Sequence, residues 1–303
     1  NLRKKKKIQL QDFGYGAKPK KGLVLRGDVS YDNGAKYSGA VKSFNKQIPH
    51  GYGIYFFPEH GKMKKFDGIE LAVIKYYSGN FKNGLFHGKG TFRGTGDYEY
   101  TGQFKNGKLD GKGEIKYSDG SGSFKGIFKN DKKVKGKWIF RSGDQYDGDI
   151  KDDTANGFGK SIYKESGTIY IGQFKDGAWH GKGNQKLKDS QVYVGSFKNG
   201  RRHGYGEVVN KKSKVSYKGN WVNGVRKGYG EFDYGDGGIY AGSWKDDKPH
   251  GKGVMYETKG KAKGTSLTGT WKNGDKEGVF VFKHKSIQKN KQLFKADEFV
   301  KYL

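Results

Sequence analysis

The chain has 303 residues and no cysteine, which excludes disulfides, thiolate metal centres and cysteine nucleophiles. Only 32% of it is hydrophobic, yet 15% is aromatic and 52 residues are glycine; that is too little aliphatic mass for one thick core and enough for a thin sheet whose rings pack on glycine. Lys and Arg total 60 against 31 acidic residues, a formal net charge of +29. The cations are overwhelmingly lysine, a hydrated point charge, so the balance predicts attraction to an acidic surface and excludes sequence-specific nucleic-acid readout. No stretch approaches the roughly 20 apolar residues that span a bilayer as a helix.

In chain order, residues 1–36 read as a basic arm and a lead-in strand. Lys4, Lys5, Lys6 and Lys7 head the arm, and more lysines flank Pro19. From residue 37 to 285 the chain repeats itself. An aromatic residue followed two places later by Gly recurs at Tyr37, Tyr77, Tyr100, Phe124, Tyr146, Tyr170, Tyr193, Tyr217 and Tyr240, with Leu267 as a weaker tenth start. After a first interval of 40 residues the spacings are 23, 24, 22, 24, 23, 24, 23 and 27. The long first interval holds an insertion at about 57–76, a basic loop followed by a strand that ends in Tyr76. From Ser286 the repeat signals stop. Leu293, Ala296, Val300 and Leu303 then fall at helical spacing, which predicts a short C-terminal helix over 286–303 that caps the last hairpin or docks into a partner.

Each repeat reads as one β-hairpin. Alternate residues of a strand share a face, so Tyr77, Gly79 and Phe81 lie together, as do Tyr170, Gly172 and Phe174. On the second strand the same rule groups Gly88 with Gly90 and Gly181 with Gly183. One face is then a mosaic of rings and glycines, each gap covered by a ring of the neighbouring strand. Asn83-Gly84, Asn106-Gly107, Asp176-Gly177, Asn199-Gly200, Asn223-Gly224 and Asn273-Gly274 tolerate positive φ and mark hairpin loops of three to five residues. A lone hairpin is too thin to be stable. Stacked edge to edge, the hairpins form an all-β, elongated, single-layer antiparallel sheet, expected to span on the order of 100 Å for ten repeats.

The best copies run Tyr77-Ser-Gly79-Asn-Phe81 to His87-Gly88-Lys-Gly90, and Tyr170-Ile-Gly172-Gln-Phe174 to His180-Gly181-Lys-Gly183. This resembles the MORN repeat (membrane occupation and recognition nexus), whose pattern is Tyr-x-Gly followed by His-Gly-x-Gly. The resemblance covers 37 to about 282. Repeats of this kind serve as non-catalytic scaffold or targeting modules, and chains made almost wholly of them resemble the radial spoke head proteins of cilia and the basal-complex proteins of protists. The resemblance therefore implies a structural subunit of a large assembly in the axoneme or cytoskeleton. The alternatives are an anionic-phospholipid-binding tether and an accessory subunit of a mitochondrial complex or ribosome.

No catalytic, cofactor-binding or metal-binding residue is expected. His50, His87, His180, His203 and His250 share one repeat position and are spread one per repeat, not convergent. The Gly-x-Gly pieces are strand glycines without a Walker A lysine or a following helix. Asp152-Asp153 and Asp246-Asp247 stand where other repeats have Asn-Gly. The residue five after each repeat start is Lys42, Lys82, Lys105, Lys129, Lys151, Lys175, Lys198, Lys245 or Lys272, broken only by Val222. This lysine ladder, about 10 Å per step on the face away from the rings, and Lys4 to Lys7 are the candidate contacts for an acidic partner.

Overall fold

The computed structural model describes residues 24–32, 34–42, 48–57, 74–94, 98–284 and 287–302. The lysines of the basic arm and most of the insertion lie outside the described residues. The chain divides into two compact units, residues 1–154 and 155–303. Every described regular element is a β-strand.

In the first unit the strands are β1 (Val24–Ser30), β2 (Lys36–Val41), β3 (Pro49–Phe56), β4 (Ile74–Lys82), β5 (Leu85–Gly94), β6 (Tyr98–Lys105), β7 (Lys108–Tyr117), β8 (Gly122–Lys129), β9 (Lys132–Phe140) and β10 (Gln145–Lys151). Each pairs antiparallel with the next. The backbone N–H of Phe57 donates to the carbonyl of Lys75 at 3.3 Å, so the insertion leaves and re-enters the sheet at neighbouring points.

The second unit follows the same rule with β11 (Thr154–Ile162), β12 (Ile169–Lys175), β13 (Ala178–Lys186), β14 (Gln191–Lys198), β15 (Arg201–Asn210), β16 (Ser216–Val222), β17 (Val225–Asp233), β18 (Gly238–Lys245), β19 (Lys248–Glu257), β20 (Ser266–Lys272), β21 (Asp275–His284), β22 (Ile287–Lys295) and β23 (Glu298–Tyr302). The all-β antiparallel expectation is met.

The expected C-terminal helix is absent: β22 and β23 form a further hairpin there. The sequence Phe294-Lys295-Ala296-Asp297 repeats the strand end and turn of Phe128-Lys129-Asn130-Asp131. Ala296 and Asp297 take the left-handed turn at φ 48° and 67°. Phe294 meets Phe280 edge-on at 5.4 Å, and Asp297 accepts both the backbone N–H and the ammonium of Lys276 at 2.9 Å. Burial works against the Asp297 carboxylate, but its bonds to Lys276 outweigh it and hold the pKa below the usual range. Tertiary pairing thus overrides a helical spacing of four apolar residues.

The turns also differ from the expectation. They have two residues, not three to five: Asn83 and Gly84 take φ 53° and 82°, Asp176 and Gly177 48° and 81°. Both central residues are left-handed, the turn whose twist matches the strands it joins.

The ring face is confirmed, with one correction. Tyr77, Tyr100, Tyr170, Tyr193 and Tyr240 are fully buried. The Tyr170 ring lies across Gly172 of its own strand and Gly183 of the next, where a Cβ on either glycine would stand 2.6 Å or 2.5 Å from it. Its hydroxyl donates to the Gln173 carbonyl at 2.8 Å, and Tyr77, Tyr100, Tyr193, Tyr217 and Tyr240 repeat that bond three residues on. Gly88 and Gly181, however, are not under rings. A bulge shifts the register between Gly172 and Gln173, and its counterpart lies between Gly79 and Phe81. The bulge resets the alternation, so Gly88 (φ 68°) and Gly181 (φ 58°) face Asn80 and Gln173 on the other side. In the second unit the Gln173 amide oxygen then accepts the backbone N–H of Lys182 at 3.0 Å.

Neighbouring hairpins lock through the rings. Tyr170 meets Phe174 of its own repeat at 5.1 Å and Phe197 of the next at 5.0 Å, both edge-on. Trp221 and Trp244 donate to the carbonyls of Gly206 and Gly230 in the preceding hairpin. At the weak tenth start the parts exchange strands: Leu267 replaces the tyrosine and Phe280 the second glycine, so the Phe280 ring covers Gly269 from the opposite side.

Buried tyrosines make the sheet sensitive to alkali. Burial pushes Tyr170, Tyr193 and Tyr217 up to about 12. A folded pKa above the unfolded value, about 10, contributes stability that is complete below pH ~10 and is lost as pH rises toward 12. Tyrosinate absorbance and β-sheet circular dichroism should therefore change together in that window. Titration of these tyrosines at ordinary values with the sheet intact would refute the burial argument.

Candidate docking surface

The ladder lysines close the hairpins. Eight are the last residue of their strand, next to the two-residue turn, and Lys42 directly follows β2; all nine are exposed while the preceding residue packs on the ring side. Because the turns are so tight, the closing residue pairs directly with the first residue of the return strand: Lys105 with Lys108, Lys129 with Lys132, Lys198 with Arg201 and Lys245 with Lys248. At these four turns the exposed partner doubles the charge, whereas Lys82, Lys175 and Lys272 pair with Leu85, Ala178 and Asp275. Sequence reading missed the four cationic partners, although Lys-x-x-Lys around a two-residue turn was the available signal. In the first unit Lys42 is engaged, donating to the Asn83 side chain of the next turn at 3.2 Å. Lys132 lies 3.7 Å from Asp152. The lysines of the basic arm cannot be placed, since they fall outside the described residues.

Four of the five repeat histidines serve the turns, and the buried Nδ1 of the fifth, His180, has no hydrogen-bond partner among the described residues. The Nδ1 atoms of His50, His87, His203 and His250 accept the backbone N–H of Asn83, Asn106, Asn223 and Asn273, each in the next hairpin's turn, at 3.4 to 3.5 Å. The second turn residue is tied back as well: Gly107 donates to Phe86, Gly200 to Trp179 and Gly224 to Arg202, each at 2.9 Å. Every turn so bonded is pinned to the hairpin before it. Among the described residues no group of three His, Asp or Glu could hold a metal ion.

A second column of residues lies over the rings, opposite the buried aromatic that precedes each ladder position. It carries Phe86, Leu109 and Lys133 in the first unit, and Trp179, Arg202, Arg226, Pro249 and Lys276 in the second. Phe86 and Trp179 stack on Tyr77 and Tyr170 at 3.8 Å and 4.7 Å. The cations lie on rings instead: Lys133 is 4.5 Å from the Trp138 centroid, and Arg226 is 4.5 Å from Trp244. Three of these cations take a carboxylate from the following turn. Lys133 meets Asp153 at 2.8 Å, Arg226 meets Asp247 at 3.1 Å and Lys276 meets Asp297 at 2.9 Å. The doubled aspartates are therefore turn residues whose second member neutralises a cation of the preceding hairpin.

Lys133 also explains the aberrant fourth repeat. Its return strand bulges by one residue, Val134, between the pairs Phe128–Lys133 and Ile127–Lys135. The last hairpin, β22–β23, also bulges by one, at Val300, whereas two extra residues bulge between Gly172–Gly183 and Gln173–His180. The missing glycine thus shortens the bulge and gives the 22-residue spacing.

The pattern of tyrosine, glycine, bulge and pinned turn is shared beyond this chain. The family model described as MORN repeat matches residues 47–62, 77–97, 100–122, 124–145, 146–168, 170–190, 193–209, 217–239 and 240–260, more than half of the chain. The hairpins begun at Leu267 and Ile287 extend the array beyond those matches. No curated protein matches the chain. Repeats of this kind build scaffold or binding modules, and on these matches and this geometry the chain belongs to the MORN-repeat family.

Proposed function

We propose that this chain is a non-catalytic scaffold subunit of a large assembly and that it holds an acidic protein surface along its lysine-bearing turns. The observation that carries the reading is the ladder itself: nine exposed lysines at one repeat position, four of them paired with a second cation across the turn. Within each unit, lysines of successive repeats about 10 Å apart, near the Debye length, tolerate one another and offer a row of point charges. The axoneme or cytoskeleton is the setting we favour, on the resemblance to radial spoke and protist scaffold proteins and on the acidity of tubulin tails. Localising a tagged chain to cilium, cytoskeleton or mitochondrion tests that part directly.

Changing Lys82, Lys129, Lys175 and Lys245 together to Gln should slow association with the co-purified partner and leave the melting temperature unchanged, because exposed charges govern encounter more than packing. Wild-type association should weaken steeply as salt rises. Unchanged rates in a variant that melts normally would reduce the ladder to a solubility device. Loss of binding to phosphatidylserine vesicles, with protein binding intact, would favour the phospholipid tether, where each lysine near an anionic leaflet contributes about 1 kcal/mol.

A further inference from the structure

Of the cations laid over the rings, Lys133, Arg226 and Lys276 each receive an aspartate from the next turn, and Arg202 does not. The backbone there is the same: Gly224 donates to the Arg202 carbonyl at 2.9 Å as Asp247 donates to the Arg226 carbonyl at 3.2 Å. Only the carboxylate is missing, because the turn reads Asn223-Gly224 where the next one reads Asp246-Asp247. The Arg202 guanidinium lies 4.7 Å from the Tyr193 centroid and 5.3 Å from that of Trp221. Its Nε and Nη2 both donate to the Gln185 amide oxygen, at 3.1 Å and 2.9 Å. Asp189 is near enough to favour the charge but makes no ion pair, and burial pulls the Arg202 pKa down.

A cavity of about 290 Å³ opens at this point, walled by Arg202, Tyr217, Trp221, Arg226 and Phe232. Asp247 also lines it, but is committed to Arg226, so the cavity keeps one uncompensated positive charge. A neighbouring cavity of about 380 Å³ is lined by Trp179, whose buried indole N–H has no acceptor among the described residues. The ring face thus holds a cation without a carboxylate and an indole N–H without an acceptor.

We propose that Arg202 anchors an acidic side chain of a partner polypeptide, whose carboxylate displaces the Gln185 amide oxygen from Nε and Nη2, Nε being the donor that Asp247 takes on Arg226. A guanidinium beside two rings suits a carboxylate, and the ring walls suit the methylenes of glutamate. The inference rests on the acidic-partner reading and deepens it, since the contact lies on the ring face instead of the lysine edge.

The test uses the full chain, a fluorescein-labelled peptide of alternating Glu and Ala, and salt raised to about 0.3 M to screen exposed lysines. Gly224→Asp is the informative variant. It installs the internal carboxylate where an added Cβ meets nothing within 4 Å, although Gly224 stands at φ 95° and an aspartate must relax toward the 64° of Asp247. Gly224→Asp and Arg202→Gln should each weaken peptide binding about tenfold or more, while Gly224→Asn, which carries the same backbone strain without the charge, binds as wild type. Wild-type affinity in Gly224→Asp, or no binding to the wild type at this salt, overturns the proposal. So does a site that Gly224→Asp closes to inorganic phosphate or to phosphatidylserine vesicles but not to the peptide. Failure of the ladder reading looks different: a wild-type association rate indifferent to salt and to the edge lysines.

Discussion

Tyr170→Ala is expected to destabilise the second unit by roughly 3–5 kcal/mol, the range for removing a fully buried ring. Tyr170 is 0% exposed. Its ring stacks on Trp179 at 4.7 Å, meets Phe174 and Phe197 edge-on at 5.1 Å and 5.0 Å, and covers two glycines. No other side chain at Gly172 or Gly183 can fill the space. Tyr170→Phe should cost only about 1 kcal/mol, the net worth of one hydrogen bond, since it loses the bond to the Gln173 carbonyl and keeps the packing. The fourth repeat already runs this experiment, with Phe124 fully buried over Gly126 and Gly136. Urea unfolding of the two variants decides the matter. Equal losses from Ala and Phe would mean that the hydroxyl, not the ring, holds the hairpins together.

Gly172→Val is expected to be nearly as damaging, at or above the upper end of the ~1–3 kcal/mol typical of overpacking. A Cβ at Gly172 would stand 2.6 Å from the Gly183 Cα, from the Lys182 carbonyl oxygen and from the Tyr170 hydroxyl. Two of these three obstacles are backbone of the paired strand, which cannot move without breaking the ladder of β12 and β13. Gly177 is the internal contrast. It lies in the turn at φ 81°, with nothing within 4 Å of an added Cβ, and aspartates occupy the same place in other turns. Gly177→Asp should therefore change the melting temperature little and Gly172→Val should lower it by many degrees. Similar melting for both variants would disprove the ring-over-glycine packing.

Several features of the molecule were legible in its residues alone, because they depend on local chemistry. Strand alternation put Tyr77, Gly79 and Phe81 on one face, and a spacing of 22 to 24 residues identified the hairpin as the unit. Asn-Gly and Asp-Asp located the turns, since those residues accept positive φ. The ladder position followed from the same register. Two misreadings came from the same rules applied past their range. Alternation assigned Gly88 and Gly181 to the ring face because a bulge leaves no clear mark in a run of Gly-x-Gly. Helical periodicity claimed Leu293, Ala296 and Val300, although Phe-Lys-Ala-Asp has the form of the earlier turns.

What only the tertiary structure decided are the relations between one hairpin and the next, which join residues about 20 positions apart through contacts no local pattern encodes. The histidine that accepts an N–H of the following turn is one such relation, and the aspartate that neutralises Lys133, Arg226 or Lys276 is another. Arg202 stands out for the same reason. In the sequence it is one of two adjacent arginines. In the folded unit Arg201 points to solvent at the turn, whereas Arg202 lies on rings beside a cavity, because a single step along a strand moves a side chain from one face of a sheet to the other.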